Sequence, residues 1–117
     1  MSQTSSLEII PGEGYHRVVV RGDLDMATVP TFKTTMSDLV ASGANRFVVD
    51  MSEVDHADTT GLGILVWLHK TAEQAGGAIC LLGGPPQFRR VLELTGLTQL
   101  FELRDQLTEA KSFLGCV

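Results

Sequence analysis

Short apolar runs of strand length alternate along this chain with longer segments whose apolar residues recur every three or four positions. That alternation limits the fold more than any single motif. Leu7–Ile10 and Tyr15–Arg21 read as strands joined across Pro11-Gly12-Glu13-Gly14, a link suited to a hairpin. Val29, Phe32, Met36 and Leu39 predict a helix from about Thr28 to Ser42, stopped by Gly43. Phe47-Val48-Val49 has no polar alternation, as expected of a central strand covered on both faces. A second helix, starting at or close to Thr60, carries Gly61, Leu65, Leu68, Ala72 and Ala75 on one stripe and ends at Gly76-Gly77. Ala78–Leu82 is a further buried strand, closed by Gly83-Gly84-Pro85-Pro86. A third helix points Phe88, Val91, Leu92 and Thr95 inward and stops at Gly96. Leu100–Leu103 reads as a short strand, and Asp105 as the cap of a last helix burying Leu107, Ala110 and Leu114. The order β-β-α-β-α-β-α-β-α predicts an α/β fold with a mixed, mostly parallel sheet and about four helices. With 117 residues, one domain over 1–117 is expected, its structured core spanning about 7–114.

The second helix is entered through Val54-Asp55-His56-Ala57-Asp58-Thr59-Thr60, which reads as a polar loop. A hydroxyl there meets the unpaired N–H groups and positive end of a helix, so a phosphate on it would be tolerated by the fold. The more ordinary reading of the same residues is that Asp58 is an N-cap and Thr59 the first helical position. Local physics leaves both open.

Composition removes other classes. A hydrophobic content of 44% with 20% charged residues is that of a globular chain. A net charge of −5 without a Lys/Arg cluster argues against nucleic acid; Arg89-Arg90 reads as a solvated helix face. No long apolar run exists and Met1–Ser6 is polar, so neither membrane insertion nor a signal peptide is expected. Cys80 and Cys116 fit a reducing, cytoplasmic setting.

Asp23, Asp25, Asp50, Glu53, Asp55 and Asp58 all fall near predicted strand ends, where α/β sheets usually place function. Acids there suit Mg²⁺ or phospho-aspartate chemistry. A receiver-like site, however, needs a lysine after its last strand, and this chain has Leu103-Arg104-Asp105. His16, His56 and His69 show no zinc spacing, and loop spacing alone does not bring oxygens together on a hard cation. Gly61-Leu62-Gly63 lacks the serine of a nucleophile elbow, and no phosphate-binding loop is present. The residues support a binding module rather than an enzyme, with no cofactor and no metal.

Asp58-Thr59-Thr60-Gly61-Leu62-Gly63 resembles the Asp-Ser-Ser-Gly-Leu-Gly segment of STAS domains, in particular bacterial anti-sigma factor antagonists. Gly22-Asp23-Leu24-Asp25, Phe47-Val48-Val49-Asp50-Met51 and Val91-Leu92-Glu93-Leu94-Thr95-Gly96-Leu97 resemble further family segments, in the same order from about Leu7 to Leu114. The resemblance implies an antagonist that, while unphosphorylated, captures an anti-sigma factor Ser/Thr kinase and frees a sigma factor. Phosphorylation would switch it off, and a PP2C-type phosphatase would restore it. The implied acceptor is Thr59, flanked by Asp58, Thr60 and Gly61. Threonine stands at both hydroxyl positions where the family has serine, and its extra methyl stiffens χ1. Asp25 maps onto a family acid near the docking surface, or else caps the first helix. Ile64 and Trp67 are expected on a second, partner-facing side of the helix, with Trp67 an anchor or a cover for the core rim. The alternative is the same fold as an accessory subunit of a lipid-transporting ABC system, or as a stressosome-type scaffold.

Overall fold

The computed structural model describes residues 6–116. Its elements run β1 (Ser6–Pro11), β2 (His16–Leu24), α1 (Val29–Ala41), β3 (Arg46–Ala57), α2 (Thr59–Gln74), β4 (Ala78–Leu82), α3 (Pro86–Thr95), a 3₁₀ turn (Leu97–Gln99), β5 (Leu103–Arg104) and α4 (Leu107–Phe113). The five strands form one sheet in the order β1-β2-β3-β4-β5. β1 is antiparallel to β2, and every later neighbour is parallel.

Side-chain alternation splits the core in two. Phe47, Val49 and Met51 of β3 and Ile79 and Leu81 of β4 join Val18 and Val20 under α1, α2 and α3, where Phe32, Met36, Leu65, Leu68, Phe88 and Leu92 meet them. The intervening residues, Val48, Cys80 and Leu82, turn to the other face and pack against Ala110 and Leu114 of α4. The unbroken apolar run in β3 therefore reflects helices on both sides of the sheet. On that second face Asp50 is buried and fully engaged. It accepts from Arg17 Nε and Nη2 at 3.1 and 2.7 Å, and from Ser52 N and Oγ at 3.0 and 2.6 Å. Burial pulls the Asp50 pKa upward, but the Ser52 hydrogen bonds and the Arg17 guanidinium outweigh it and hold the carboxyl below the usual range.

Several boundaries differ from those expected. β3 runs on to Ala57, because β2 also continues and pairs Arg21–Leu24 with Glu53–Ala57 beyond the end of β4. Asp55 and His56 are consequently strand residues rather than loop residues, and Asp50 and Glu53 lie within β3 rather than near its end. β5 is Leu103–Arg104, since Leu97–Gln99 and Leu100 belong to the 3₁₀ turn and its cap. Asp105 does not cap α4; the N-cap is Gln106, and Asp105 pairs with Arg89 of α3. Thr95 is exposed, its hydroxyl bonded back to Val91 O at 2.7 Å. Ala75 is the exposed C-cap of α2, where the helix has already left the sheet. None of the helices in the described residues is long and apolar enough to cross a membrane.

Candidate functional site

The ends of β2 and β3 meet at one edge of the sheet, Leu24 paired with Ala57. From there the chain turns directly into α2. Asp58 N–H donates to Leu24 O at 3.3 Å, and Asp58 Oδ1 accepts from Gly61 N at 2.9 Å. Asp58 is thus the N-cap, Thr59 the first helical residue and Thr60 the second. Both threonines are exposed. Among the described residues, nothing hydrogen-bonds the Thr59 hydroxyl. Because the Asp58 carboxylate is committed to Gly61 N–H, the arrangement presents a hydroxyl at a helix N-terminus.

Gly61 fixes how closely that terminus lies on the sheet. A Cβ there would stand 2.2 Å from Leu24 O. Only glycine permits this approach. Gly63, two residues on, is exposed, and a Cβ on it would meet nothing within 4 Å.

Beside the start of α2, the β2–α1 connection forms a tight hydrogen-bonded turn. Asp25 Oδ1 accepts from Ala27 N at 3.0 Å and Thr28 N at 3.3 Å. Thr28 Oγ1 donates to Asp23 O at 2.9 Å and accepts from Asp25 N at 3.0 Å. Asp25 therefore ties down the turn that leads into α1. Asp23 Oδ1 also lies 3.3 Å from Nδ1 of His56, which is exposed at the end of β3. With Asp55 and Asp58 exposed nearby, carboxylates dominate the edge.

The site residues expected from sequence do not all share that surface. Asp25, Asp58, Thr59, Thr60 and Gly61 come together at the edge. Ile64 is 5% exposed and buried in the core, so it offers a partner no side chain. The reason is that α2 is flanked on both sides: Gly61, Leu62, Ile64, Leu65, Leu68 and Ala72 are all buried, a wider arc than one stripe. Trp67 is half-buried against the same core, with Lys33 Nζ of α1 5.5 Å from its ring centroid. Met26, at the tip of the β2–α1 turn, is 75% exposed at this edge, and the sequence reading missed it. Its spacing from Val29 resembles the start of the α1 stripe, so periodicity alone gave no signal. Among the described residues, no three His, Cys, Asp or Glu side chains are placed to hold a metal ion.

A mixed sheet with three helices on one face and one on the other, and an exposed hydroxyl opening the helix after the third strand, defines a class of small α/β regulatory domain. The chain belongs to the STAS domain family, whose model matches residues 10–110. It is 28% identical over 100 residues to the anti-sigma-B factor antagonist of Staphylococcus aureus, covering 86% of this chain and 93% of that protein. The crystal structure of an anti-sigma factor antagonist from Mycobacterium paratuberculosis superposes with a TM-score of 0.85 at 26% identity, covering 96% of this chain and 95% of that one. The Bacillus cell fate determinant SpoIIAA in its phosphorylated form shares the fold, with a TM-score of 0.72 at 20% identity over 93% of this chain and 97% of that one.

Proposed function

We propose that this chain is an anti-sigma factor antagonist switched by phosphorylation of Thr59. Unmodified, it binds an anti-sigma factor Ser/Thr kinase and releases a sigma factor. Phosphate transferred to Thr59 ends that binding, and a PP2C-type phosphatase restores it. The observation that carries the proposal is the Thr59 hydroxyl, exposed at the first position of α2 with no hydrogen bond to a described residue. The antagonist relatives in Staphylococcus and Mycobacterium, and a fold shared with a protein solved in a phosphorylated form, support it.

The chemistry suits a switch that leaves the fold intact. Phosphothreonine adds about −1.5 to −2 charges. The α2 N-terminus offsets part of the local cost, about 0.3–1 kcal/mol. A docked partner has no such compensation, since misplaced like charge at an interface costs several kcal/mol. A loss of about 3 kcal/mol is already more than a hundredfold in affinity. Incubation with the cognate kinase and ATP should add one phosphate, located at Thr59 by mass spectrometry. Thr59→Glu should fold normally and bind the kinase poorly, whereas Thr59→Ala should bind and resist switching. Phosphate on Thr60, or equal affinity of the two variants, contradicts the reading. Copurification of an ABC ATPase in place of a kinase would move the chain to a different STAS role.

A further inference from the structure

Two features at the Thr59 edge do nothing for this chain's own fold. Met26 is 75% exposed although the turn that bears it is tightly built: Asp25 Oδ1 holds Ala27 N and Thr28 N, and Thr28 Oγ1 holds Asp23 O. The hydrogen bonds of the turn fix the backbone on either side of Met26 while its side chain stays in solvent. Gly63 occupies the interior of α2, where glycine is the poorest helix former after proline, yet among the described residues nothing packs within 4 Å of where its Cβ would stand. Gly61 has an internal reason to be glycine, and Gly63 has none.

We infer that Met26 is the side chain by which the anti-sigma factor kinase grips this protein, and that Gly63 clears the surface of α2 for the partner's main chain; this rests on the function proposed above. The two features and the acceptor fit one footprint. Thr59 and Gly63 are one helical turn apart, so they share a face of α2. Leu24 O receives Asp58 N–H, and Met26 follows Leu24 by two residues as Thr59 follows Asp58 by one. Chain geometry therefore keeps the Met26 and Thr59 Cα atoms within roughly 17 Å, inside a standard interface of about 800 Å² per partner. Among the described residues, the other large exposed apolar side chains, Ile10, Leu94 and Phe113, stand on β1, α3 and α4 instead.

Charge decides the occupant. Asp23 and Asp25 lie on the segment that carries Met26, and Asp55 and Asp58 on the β3–α2 segment that meets it; His56 is engaged by Asp23, and Lys33 is drawn over Trp67 farther along. The complementary partner surface is an apolar pocket with a Lys/Arg rim. Methionine suits such a pocket because its unbranched, polarizable side chain adapts to irregular walls.

The test measures binding of the purified kinase, without ATP, to the whole chain by titration calorimetry, with melting temperatures alongside. Met26→Ala should weaken binding by about tenfold or more, as interface anchors do. Met26→Glu should weaken it further, and neither variant should melt differently from wild type. Gly63→Ala should bind less well while melting higher, a combination that a purely structural role does not produce. Leu94→Ala should bind as wild type, and raised salt should weaken every complex. If wild type binds and both Met26 variants bind equally well, this inference fails while the proposed function stands. If wild type binds no kinase, the proposed function itself fails and takes the inference with it. A wild-type dimer that Met26→Glu dissociates would reassign the patch to a second copy of the chain and overturn the proposal.

Discussion

Replacing Gly61 by alanine adds one methyl group at the point where α2 crosses the end of β2. The new Cβ would lie 2.2 Å from Leu24 O and 3.1 Å from Leu24 C and Cγ. Ordinary contact requires the helix and strand to part by about 1 Å at this point. The movement cannot be local. Leu24 O also receives Asp58 N–H, and Gly61 N–H is itself the donor to Asp58 Oδ1, so lifting Gly61 strains both hydrogen bonds of the cap. Overpacking of this kind costs about 1–3 kcal/mol, with a lost cap adding about 1. Alanine returns up to about 1 kcal/mol in helix propensity. The net expectation is a loss of about 1–3 kcal/mol. At about 4 °C per kcal/mol for a chain of this size, the melting temperature should fall by about 4–12 °C. Gly63→Ala makes the same chemical change two residues away, into open space, and should raise the melting temperature by about 2–4 °C. Differential scanning calorimetry on the two variants separates packing from propensity, because only packing gives them opposite signs. Gly61→Ala melting at or above wild type would refute the close-approach argument, and so would a loss of similar size in both.

Two further expectations follow from buried groups. Asp50 is held below its ordinary pKa, so its stabilisation is complete above the unfolded value of about 3.9 and disappears as pH falls through the lower folded value. Asp50→Asn should cost about 1–3 kcal/mol at neutral pH and flatten the acid limb below about pH 4 in urea titrations; an unchanged limb would show that Asp50 does not drive acid unfolding. Burial pushes the Cys80 thiol up to about 11, whereas Cys116 is half-buried at the tail. In the native state a disulfide reagent at neutral pH should titrate Cys116 and leave Cys80 untouched until denaturant is added, and rapid reaction of both thiols would contradict the burial of Cys80.

Fold class was legible because helix and strand periods are local properties, and the alternation survives small errors at every boundary. Boundaries set by a neighbour were not legible. Asp55 and His56 read as loop because they are polar, but β2 continues alongside, pairing His56 with Asp23 and leaving Asp55 at an irregularity of the ladder, while Val54 points inward beside them. Ile64 read as outward because one stripe was assumed, whereas a helix packed on two sides buries more. Asp105 has the chemistry of a cap, yet Arg89, 16 residues earlier, takes its carboxylate. At the site, Asp58 and Gly61 were readable because a cap and a close approach each demand particular residue types. Met26 was not, since a side chain's exposure depends on a turn whose hydrogen bonds form only once Asp23, Asp25 and Thr28 are brought together.

The position of Thr59 suits the switch proposed for it, because the fold does not draw on its hydroxyl. Of the first N–H groups of α2, that of Gly61 is taken by the Asp58 side chain and that of Leu62 by the Asp58 carbonyl, at 2.9 Å each. The cap is thus complete without any contribution from the Thr59 hydroxyl. Helical geometry leaves the N–H groups of Thr59 and Thr60 at the exposed end, where a phosphate on Thr59 would find donors and the positive end of the helix. Against this stands repulsion from Asp58, one residue away in chain order. The two effects oppose each other within the fold, so the proposed phosphorylation should change stability little. Across an interface the balance differs. A partner matched to an acidic edge and an exposed methionine must accommodate a bulky dianion at a point where it had been matched to a neutral hydroxyl, while the donors that relieve that charge belong to α2. On the proposed function, the same local chemistry that protects the fold would leave the partner to bear the cost, and a modification of one side chain would become a choice between bound and free.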